Sequence, residues 1–140
     1  MESSQTSGKL QCVVVTPEAT VVDTQAEFVA LPLYDGEIGI APLHSPMIGR
    51  LGYGELRIVS GGKTSSYYVD GGFVQVAGDV VSVLTNRALP AEQVDADVAA
   101  DKLVEAIQRP APTDELSMIR DRQITQGRAQ LRVAQRAARG

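Results

Sequence analysis

Short segments in which apolar and polar residues alternate fill the chain from Leu10 to Leu89. They are rich in Val, Thr, Tyr and Ile and are interrupted every few residues by Gly, Pro or Asp, a pattern typical of short strands joined by tight turns. Glycines in Ser60–Lys63 and Ala77–Asp79 indicate hairpin turns, because glycine adopts positive φ without steric cost. This spacing favours a sandwich or a flattened barrel. The predicted strands cover residues 10–16, 19–24, 26–33, 37–41, 47–51, 54–60, 63–70, 73–77 and 79–85.

The pattern becomes helical after Pro90. Residues 92–108 contain no Gly or Pro, and a helix over them carries one narrow apolar stripe, formed by Ala96, Ala99, Ala100, Leu103 and Ile107. Pro110 and Pro112 end this helix, and Thr113 is the predicted N-cap of a second helix that runs to about Ala138. The sequence thus predicts an all-β sandwich over 10–90 and a C-terminal α-helical hairpin over 91–140, preceded by a disordered extension over 1–9.

Each predicted helix carries a line of charges of one sign. The acidic line is Asp97, Asp101 and Glu105, and the basic line is Arg128, Arg132 and Arg136. Residues four apart share a helix face, so the two lines are predicted to face each other in the hairpin, with Asp101 near Arg132. Because the apolar stripe is narrow and Gly127 costs about 1 kcal/mol relative to Ala, the hairpin is expected to depend on packing against the sandwich.

Composition narrows the class of protein. The net charge is −4, with five basic and nine acidic residues in 1–90 but six basic and three acidic residues in 110–140. The basic tail lacks aromatic residues, which disfavours nucleic-acid binding. No apolar run reaches the roughly 20 residues that cross a bilayer, and Met1–Ser7 lacks the features of a signal peptide, so export by that route is not expected. Cys12 stands in an apolar run and is expected to be a buried small hydrophobe in a reducing compartment.

Candidate chemistry concentrates in the segment Gly36–Pro46, which holds Glu37 and the one histidine, His44. A short strand followed by a proline-bracketed corner suits either a partner contact or a reaction. A Ser45–His44 nucleophile lacks any motif for an orienting acid or an oxyanion hole, and no metal-binding or nucleotide-binding motif is present. The sequence therefore predicts no catalytic residues, no metal and no cofactor, and favours a contact surface.

Four segments resemble the epsilon subunit of F-type ATP synthase. They are DGEIGIAPLHSPMIGRLGYGELRI over 35–58, Tyr68–Val76, Val80–Leu84 and the tail segment Arg128–Val133. The resemblance covers nearly the whole chain from Leu10 onward and implies a ten-stranded sandwich followed by a helical hairpin. It also implies a non-catalytic subunit of the central stalk, beside the gamma subunit and on the c-ring, that helps to couple ion-driven rotation to ATP synthesis. Its expected location is peripheral, on the cytoplasmic face of the bacterial inner membrane.

The resemblance also implies roles for individual residues. Asp35, Glu37 and His44 are expected to meet the c-ring and gamma, with Glu37 and His44 exposed to solvent. The hairpin is expected to act as a switch that permits ATP hydrolysis when folded and blocks it when extended. In the extended state the arginine line at 128, 132 and 136 is expected to meet the beta subunit.

Some members of that family bind ATP on the folded hairpin. Asp95 matches the aspartate of their motif, but Val98 stands in place of its arginine, and Gln126 and Gln130 stand where the second helix of those members is basic. Without these cations a triphosphate lacks its charge-assisted hydrogen bonds, so ATP binding is not expected. Two alternatives stay open from the sequence, namely a β-sandwich adaptor and an ATP-sensing regulator outside the synthase.

Overall fold

The computed structural model describes residues 9–139. The strands in that range pair into one continuous sheet, and two helices follow it. The strands are β1 (Leu10–Val15), β2 (Thr20–Ala26), β3 (Phe28–Leu33), β4 (Gly36–Ile40), β5 (Met47–Ser60), β6 (Lys63–Ala77), β7 (Val80–Leu84) and β8 (Ala88–Pro90). After a short 3-10 turn at Ala91–Gln93, the helices are α1 (Ala96–Gln108) and α2 (Asp114–Ala138).

The sheet folds over on itself to form the predicted sandwich. Its strand order is β2-β1-β7-β6-β5-β3-β4, with β8 pairing with β6, and every pair is antiparallel except β1 with β7. One hydrophobic cluster includes Val14 and Val83 from one side of the sheet and Leu31 and Ile40 from the other. Since residues from both ends of the strand order share this core, the two halves of the sheet pack face to face. The prediction of a β-sandwich followed by a helical pair is confirmed.

Two of the observed strands each span two predicted strands, and glycines lie where the predicted strands were divided. The segments predicted at 47–51 and 54–60 form the single strand β5, and those at 63–70 and 73–77 form β6, so the described residues hold eight strands where nine were predicted and ten were implied. Gly52 allows close approach, since a Cβ there would lie 2.8 Å from the Leu33 carbonyl oxygen. Gly71 and Gly72 bend β6 with φ of 72° and 110°, and pairing with β5 continues on both sides of them. The strand β8 was not predicted.

The helical hairpin is confirmed with one corrected boundary. Helix α1 starts at Ala96 and not at residue 92, because Asp95 is its N-cap: the carboxylate accepts from the N–H groups of Asp97 and Val98 at 2.9 and 3.1 Å. Thr113 caps α2 as predicted, since its hydroxyl accepts from the N–H of Leu116 at 3.1 Å. Within residues 9–139, neither helix is both long and apolar enough to cross a membrane.

The two helices meet through small side chains. Ala99 and Ala106 are buried on α1, and Leu103 between them packs on Gly127, where an added Cβ would lie 3.2 Å from the Leu103 Cβ. Gly127 is therefore a close-approach position and not only a weak point of the helix. Ile107, which the sequence placed on the buried stripe, is 50% exposed.

Helix α2 attaches the hairpin to the sandwich. Its Ala129 and Val133 pack with Ala91 on Tyr68, which is completely buried. Helix α1 packs mainly on α2, so the hairpin contacts the sandwich mainly through α2.

The extension expected over residues 1–9 lies outside the described residues except for Lys9. The ammonium group of Lys9 is 3.6 Å from the carboxylate of Glu27.

Replacing Gly72 with Ala is expected to lower the free energy of unfolding by about 3 kcal/mol or more, because φ is 110° there and a Cβ would overlap the Leu84 carbonyl group. Gly61→Ala is the control: φ is 60° and no atom lies within 4 Å of the new Cβ, so only about 1–2 kcal/mol of backbone strain is expected. Urea unfolding of both variants measures the difference. If both variants lowered the free energy of unfolding equally, the contact with Leu84 would add nothing to the backbone strain.

Candidate interaction surfaces

The structure separates the acidic residues of the predicted corner from its histidine. Asp35 lies in the β3–β4 turn, and Glu37 follows it on β4 opposite Pro32. His44 lies beyond the other end of β4, in the loop to β5. A five-residue strand is roughly 13 Å long, so these side chains do not form one corner. Asp35 and Glu37 are exposed, as expected for Glu37, whereas His44 is half-buried.

His44 is held by its own loop. Its Nδ1–H donates to the Ser45 carbonyl oxygen at 2.7 Å, because a carbonyl oxygen only accepts. Leu43 has a φ of 69°, and its N–H donates to the Asp79 carboxylate in the β6–β7 turn at 2.7 Å. The imidazole therefore contacts the backbone of Ser45 and not its hydroxyl group, and nothing in this geometry supports a Ser/His nucleophile. No group of three or more His, Cys, Asp and Glu side chains suited to a metal ion occurs in residues 9–139.

A chain of ion pairs crosses from the sandwich to the end of α2. Arg57 lies 3.2 Å from Glu37 and 3.4 Å from Glu55, and Arg136 lies 2.6 Å from Glu55. The Glu55 side chain is only 10% exposed, whereas that of Arg136 is 61% exposed. Such a partly exposed pair contributes roughly 0–1 kcal/mol and is weakened by salt.

Two of the three arginines in the basic line face the sandwich and not the acidic line of α1. Arg132 and Arg136 border a groove with Glu37 and Glu55, and Arg128 does not, although all three arginines are exposed. The predicted approach of Asp101 to Arg132 is wrong, since none of the ion pairs within the described range joins them. The physical reason is rotational: at about 100° per residue, Asp101 lies about 160° around α1 from the contact residue Leu103.

A second polar contact between the hairpin and the sandwich is partly buried. The Tyr68 hydroxyl donates to Asp70 Oδ1 at 2.8 Å, and Gln126 Nε2 on α2 donates to the same oxygen at 3.0 Å. Burial raises the pKa of Tyr68 far above its ordinary value, and the nearby Asp70 charge raises it further. The hydroxyl group therefore keeps its proton and remains a donor.

Apolar side chains form an exposed patch on the outer face of β5, β6 and β7. Phe73 is 59% exposed and lies between Arg50 on β5 and Leu84 on β7, while Ile48 lies two residues along β5 on the same face. The Arg50 guanidinium stacks 4.3 Å from the centre of the Tyr34 ring. We call Ile48, Phe73 and Leu84 the outer patch. Exposed apolar groups of this kind are typical of docking surfaces.

Sequence reasoning missed the outer patch, the Glu55–Arg57 pair and the role of Asp70. Nothing local in the sequence indicated that α2 would cover the strand face that carries Tyr68 and Asp70. Gln126 was noted only for the cation that it replaces.

The candidate ATP residue Asp95 has a local structural role as the cap of α1. A polar cavity of about 340 Å³ lies between the hairpin and the sandwich and is bordered by Arg87, Lys102, Glu105 and Gln130, among others. Asp95 does not border it. That ATP does not bind stays a prediction.

Cys12 is fully buried in the sandwich core, as predicted. Burial raises the pKa of its thiol to about 12, with a further contribution from the charge of Asp23. Because the thiolate is the reactive form, this thiol is inert at neutral pH.

Comparison with known proteins gives a consistent family assignment. The family described as "ATP synthase, Delta/Epsilon chain, beta-sandwich domain" matches residues 9–91. The ATP synthase epsilon chain of Rhodopirellula baltica is 50% identical over 125 residues, which span 89% of this chain and 98% of that relative. The corresponding chain of Carboxydothermus hydrogenoformans is 42% identical over 101 residues, 72% of this chain and 75% of that relative.

Two solved structures share the fold. A chain in the Euglena gracilis mitochondrial ATP synthase, in a structure of OSCP, F1 and the c-ring, superposes with a TM-score of 0.80 at 21% identity and covers 95% of this chain and 82% of its own. A chain from the central stalk and c-ring of the Tetrahymena thermophila mitochondrial ATP synthase gives a TM-score of 0.71 at 13% identity, covering 90% and 96%. At these identities the likeness concerns the fold alone.

The buried thiol is expected to make stability depend on pH above neutrality. The folded pKa of Cys12 is raised from 9.0 to about 12, so its stabilising contribution is complete below pH 9 and is lost as the pH rises towards 12. The expected loss is at most about 1.4 kcal/mol per pH unit. Urea unfolding from pH 8 to 11 should show a shallower decline for Cys12→Ala than for the unmodified chain. Parallel declines would contradict the assignment.

Proposed function

This chain belongs to the family of ATP synthase epsilon chains, and we propose that it helps to couple rotation of the c-ring, driven by an ion gradient, to ATP synthesis in the catalytic head. The observation that carries this proposal is the 50% identity to an epsilon chain of which this sequence covers 98%. The sandwich supports a mechanical role, because one core cluster joins both of its layers and makes them a single stiff body. The adaptor and free regulator suggested as alternatives have no comparable support.

The docking surface is proposed to lie along the outer face of β5. At one end, the N–H of Tyr34, the residue before Asp35, donates to the Arg50 carbonyl oxygen at 2.8 Å. At the other end His44 precedes Ile48 by four residues. The outer patch therefore lies between the two groups that the sequence assigned to partner binding. We assign the patch to the gamma subunit and keep Asp35, Glu37 and His44 as the proposed polar contacts with gamma and the c-ring.

The hairpin is proposed to regulate ATP hydrolysis. Helix α2 buries small residues against the sandwich, and its ion pair with Glu55 is weak. A partner that binds the extended hairpin more tightly can therefore shift the equilibrium away from the docked state. When the hairpin extends, the arginine line at 128, 132 and 136 is proposed to meet acidic residues of the beta subunit. In the folded state Arg132 borders a groove that also contains carboxylates, so this helix face already lies beside acidic groups.

We further propose that the subunit is non-catalytic and is held at the cytoplasmic face of the bacterial inner membrane only through its partners. Purified chain should hydrolyse no ATP alone, and it should fractionate with membranes only when gamma and the c-ring are present.

Deleting residues 95–140 is expected to raise ATP hydrolysis by the reconstituted synthase several-fold, because the inhibitory arm is removed. The truncation keeps Ala91 and Val94, which pack on Tyr68. ATPase rates are measured alongside gamma binding, which should be unchanged. The double variant Arg128→Ala, Arg132→Ala is expected to reproduce part of the rise while leaving the Arg136–Glu55 pair in place. Unchanged rates in both would rule out a regulatory hairpin.

The double variant Phe73→Ser, Leu84→Ser is expected to weaken binding to purified gamma subunit at least tenfold, as truncating central apolar anchors does at other interfaces. Both side chains are more than half exposed, so the sandwich itself should keep its stability. Val21→Ser, at a 38% exposed position on β2 outside the patch, is the matched control and should bind normally. Equal affinities for all three proteins, measured by titration calorimetry, would exclude the outer patch as the gamma site.

A further inference from the structure

We propose that Asp70 fastens the helical hairpin to the sandwich without any ligand, by holding Gln126 of α2 and Tyr68 of β6 on one carboxylate oxygen. The two bonds are 3.0 and 2.8 Å long. This assigns a role to Tyr68–Gly72, a segment that the sequence marked as distinctive without explaining it. Only the consequence for regulation rests on the proposed function; the fastening itself is a property of the isolated chain.

The sandwich holds Asp70 rigidly at the bend of β6. Its N–H donates to the Thr85 hydroxyl at 3.0 Å and to the Arg87 carbonyl oxygen at 3.2 Å. Its own carbonyl oxygen accepts from Asn86 Nδ2 at 3.2 Å. Gly71 follows with a positive φ and turns the strand away. Because the backbone is fixed on both sides, the carboxylate has one orientation towards α2. Little conformational entropy is therefore lost when the hairpin docks.

The hairpin side of the contact lies next to the buried part of the interface. Ala129 follows Gln126 by three residues, is 1% exposed and packs on Tyr68. Gln130, one turn after Gln126, borders the same polar cavity as Asp70 and Gln126. Gln126 and Gln130 therefore lie on the same side of α2.

This contact is stronger than the other polar attachment of α2. The Arg136 side chain is 61% exposed, so its pair with Glu55 is screened by water and salt. The Asp70 bonds are partly buried and involve a charged acceptor. Loss of one such hydrogen bond is expected to change the equilibrium between the docked and undocked hairpin by about ten- to a hundredfold. A docked hairpin is accordingly the resting state of the chain.

Gln126→Glu tests the fastening directly, because it keeps the size of the side chain and puts a carboxylate against Asp70. In the isolated full-length protein, amide hydrogen exchange of α2 between residues 124 and 135 should accelerate about ten- to a hundredfold. Exchange in β1, β5 and β7 should not change. Gln135→Glu, on the exposed side of α2, adds the same charge and should leave α2 protected.

The double variant Asp70→Asn, Gln126→Glu provides the rescue. The amide nitrogen of the introduced asparagine can donate to the introduced glutamate while its amide oxygen still accepts from Tyr68, so protection of α2 should return to within a few-fold of the unmodified chain. Unchanged exchange in Gln126→Glu, or no rescue in the double variant, would overturn the proposal. Faster exchange in the sandwich strands as well as in α2 would also overturn it, because the Asp70 hydrogen bonds would then stabilise the sandwich and not the docking of the hairpin.

Assembled synthase separates this inference from the proposed function. If the fastening and the regulatory role both hold, Gln126→Glu should lower ATP hydrolysis by freeing the arm, and the rescue variant should restore it. Faster hydrogen exchange with unchanged hydrolysis would support the fastening and count against regulation by the hairpin.

Discussion

Strands β5 and β6 pair along almost their whole length, and every other part of the molecule is attached to this long antiparallel ribbon. One edge of the ribbon continues into β7, β1 and β2, and the other into β3 and β4, so its bends bring the two halves of the sheet together. The ribbon bends without losing its pairing because Gly52, Gly71 and Gly72 accept contacts and φ values that other residues do not. The same bend at Gly71 presents Asp70 to the helical arm.

The strands and helices were largely predictable because their signals are local. Alternation located seven of the observed strands to within a few residues, and proline and N-cap residues located both helices. The two wrongly divided strands have one cause, namely that a glycine is interpreted as a break in the sequence but is here a bend in a continuous strand. The start of α1 was misplaced because Asp95 looks like a first-turn acidic residue until its hydrogen bonds to Asp97 and Val98 identify it as the cap.

The contact surfaces were less predictable because they depend on elements far apart in sequence. Glu37 and His44 are close along the chain, but β4 runs between them and places them at opposite ends. The spacing of four residues correctly put Arg128, Arg132 and Arg136 on one side of α2. It did not reveal which neighbour that side would face, because the close approach at Gly127 fixes the rotation of α2 against α1. The resemblance identified the family, yet the Asp70–Gln126 contact joins residues 56 positions apart and has no local sequence signal.

Because α2 packs on the sandwich through small residues, its polar contacts fix the position in which it docks. Ala129 and Val133 themselves contribute few carbon atoms to the contact with Tyr68, and each buried methylene stabilises by only about 0.8 kcal/mol. On the proposal that a partner releases the arm, a large apolar face would hold it too firmly and would be costly to expose once the arm extended. A single charged acceptor instead adds roughly 1.5–3 kcal/mol at one defined position, because Gln126 reaches Asp70 only when α2 lies in register. If the hairpin extends as proposed, small packing residues with one directional polar contact give an arm that docks in one place and can still be released.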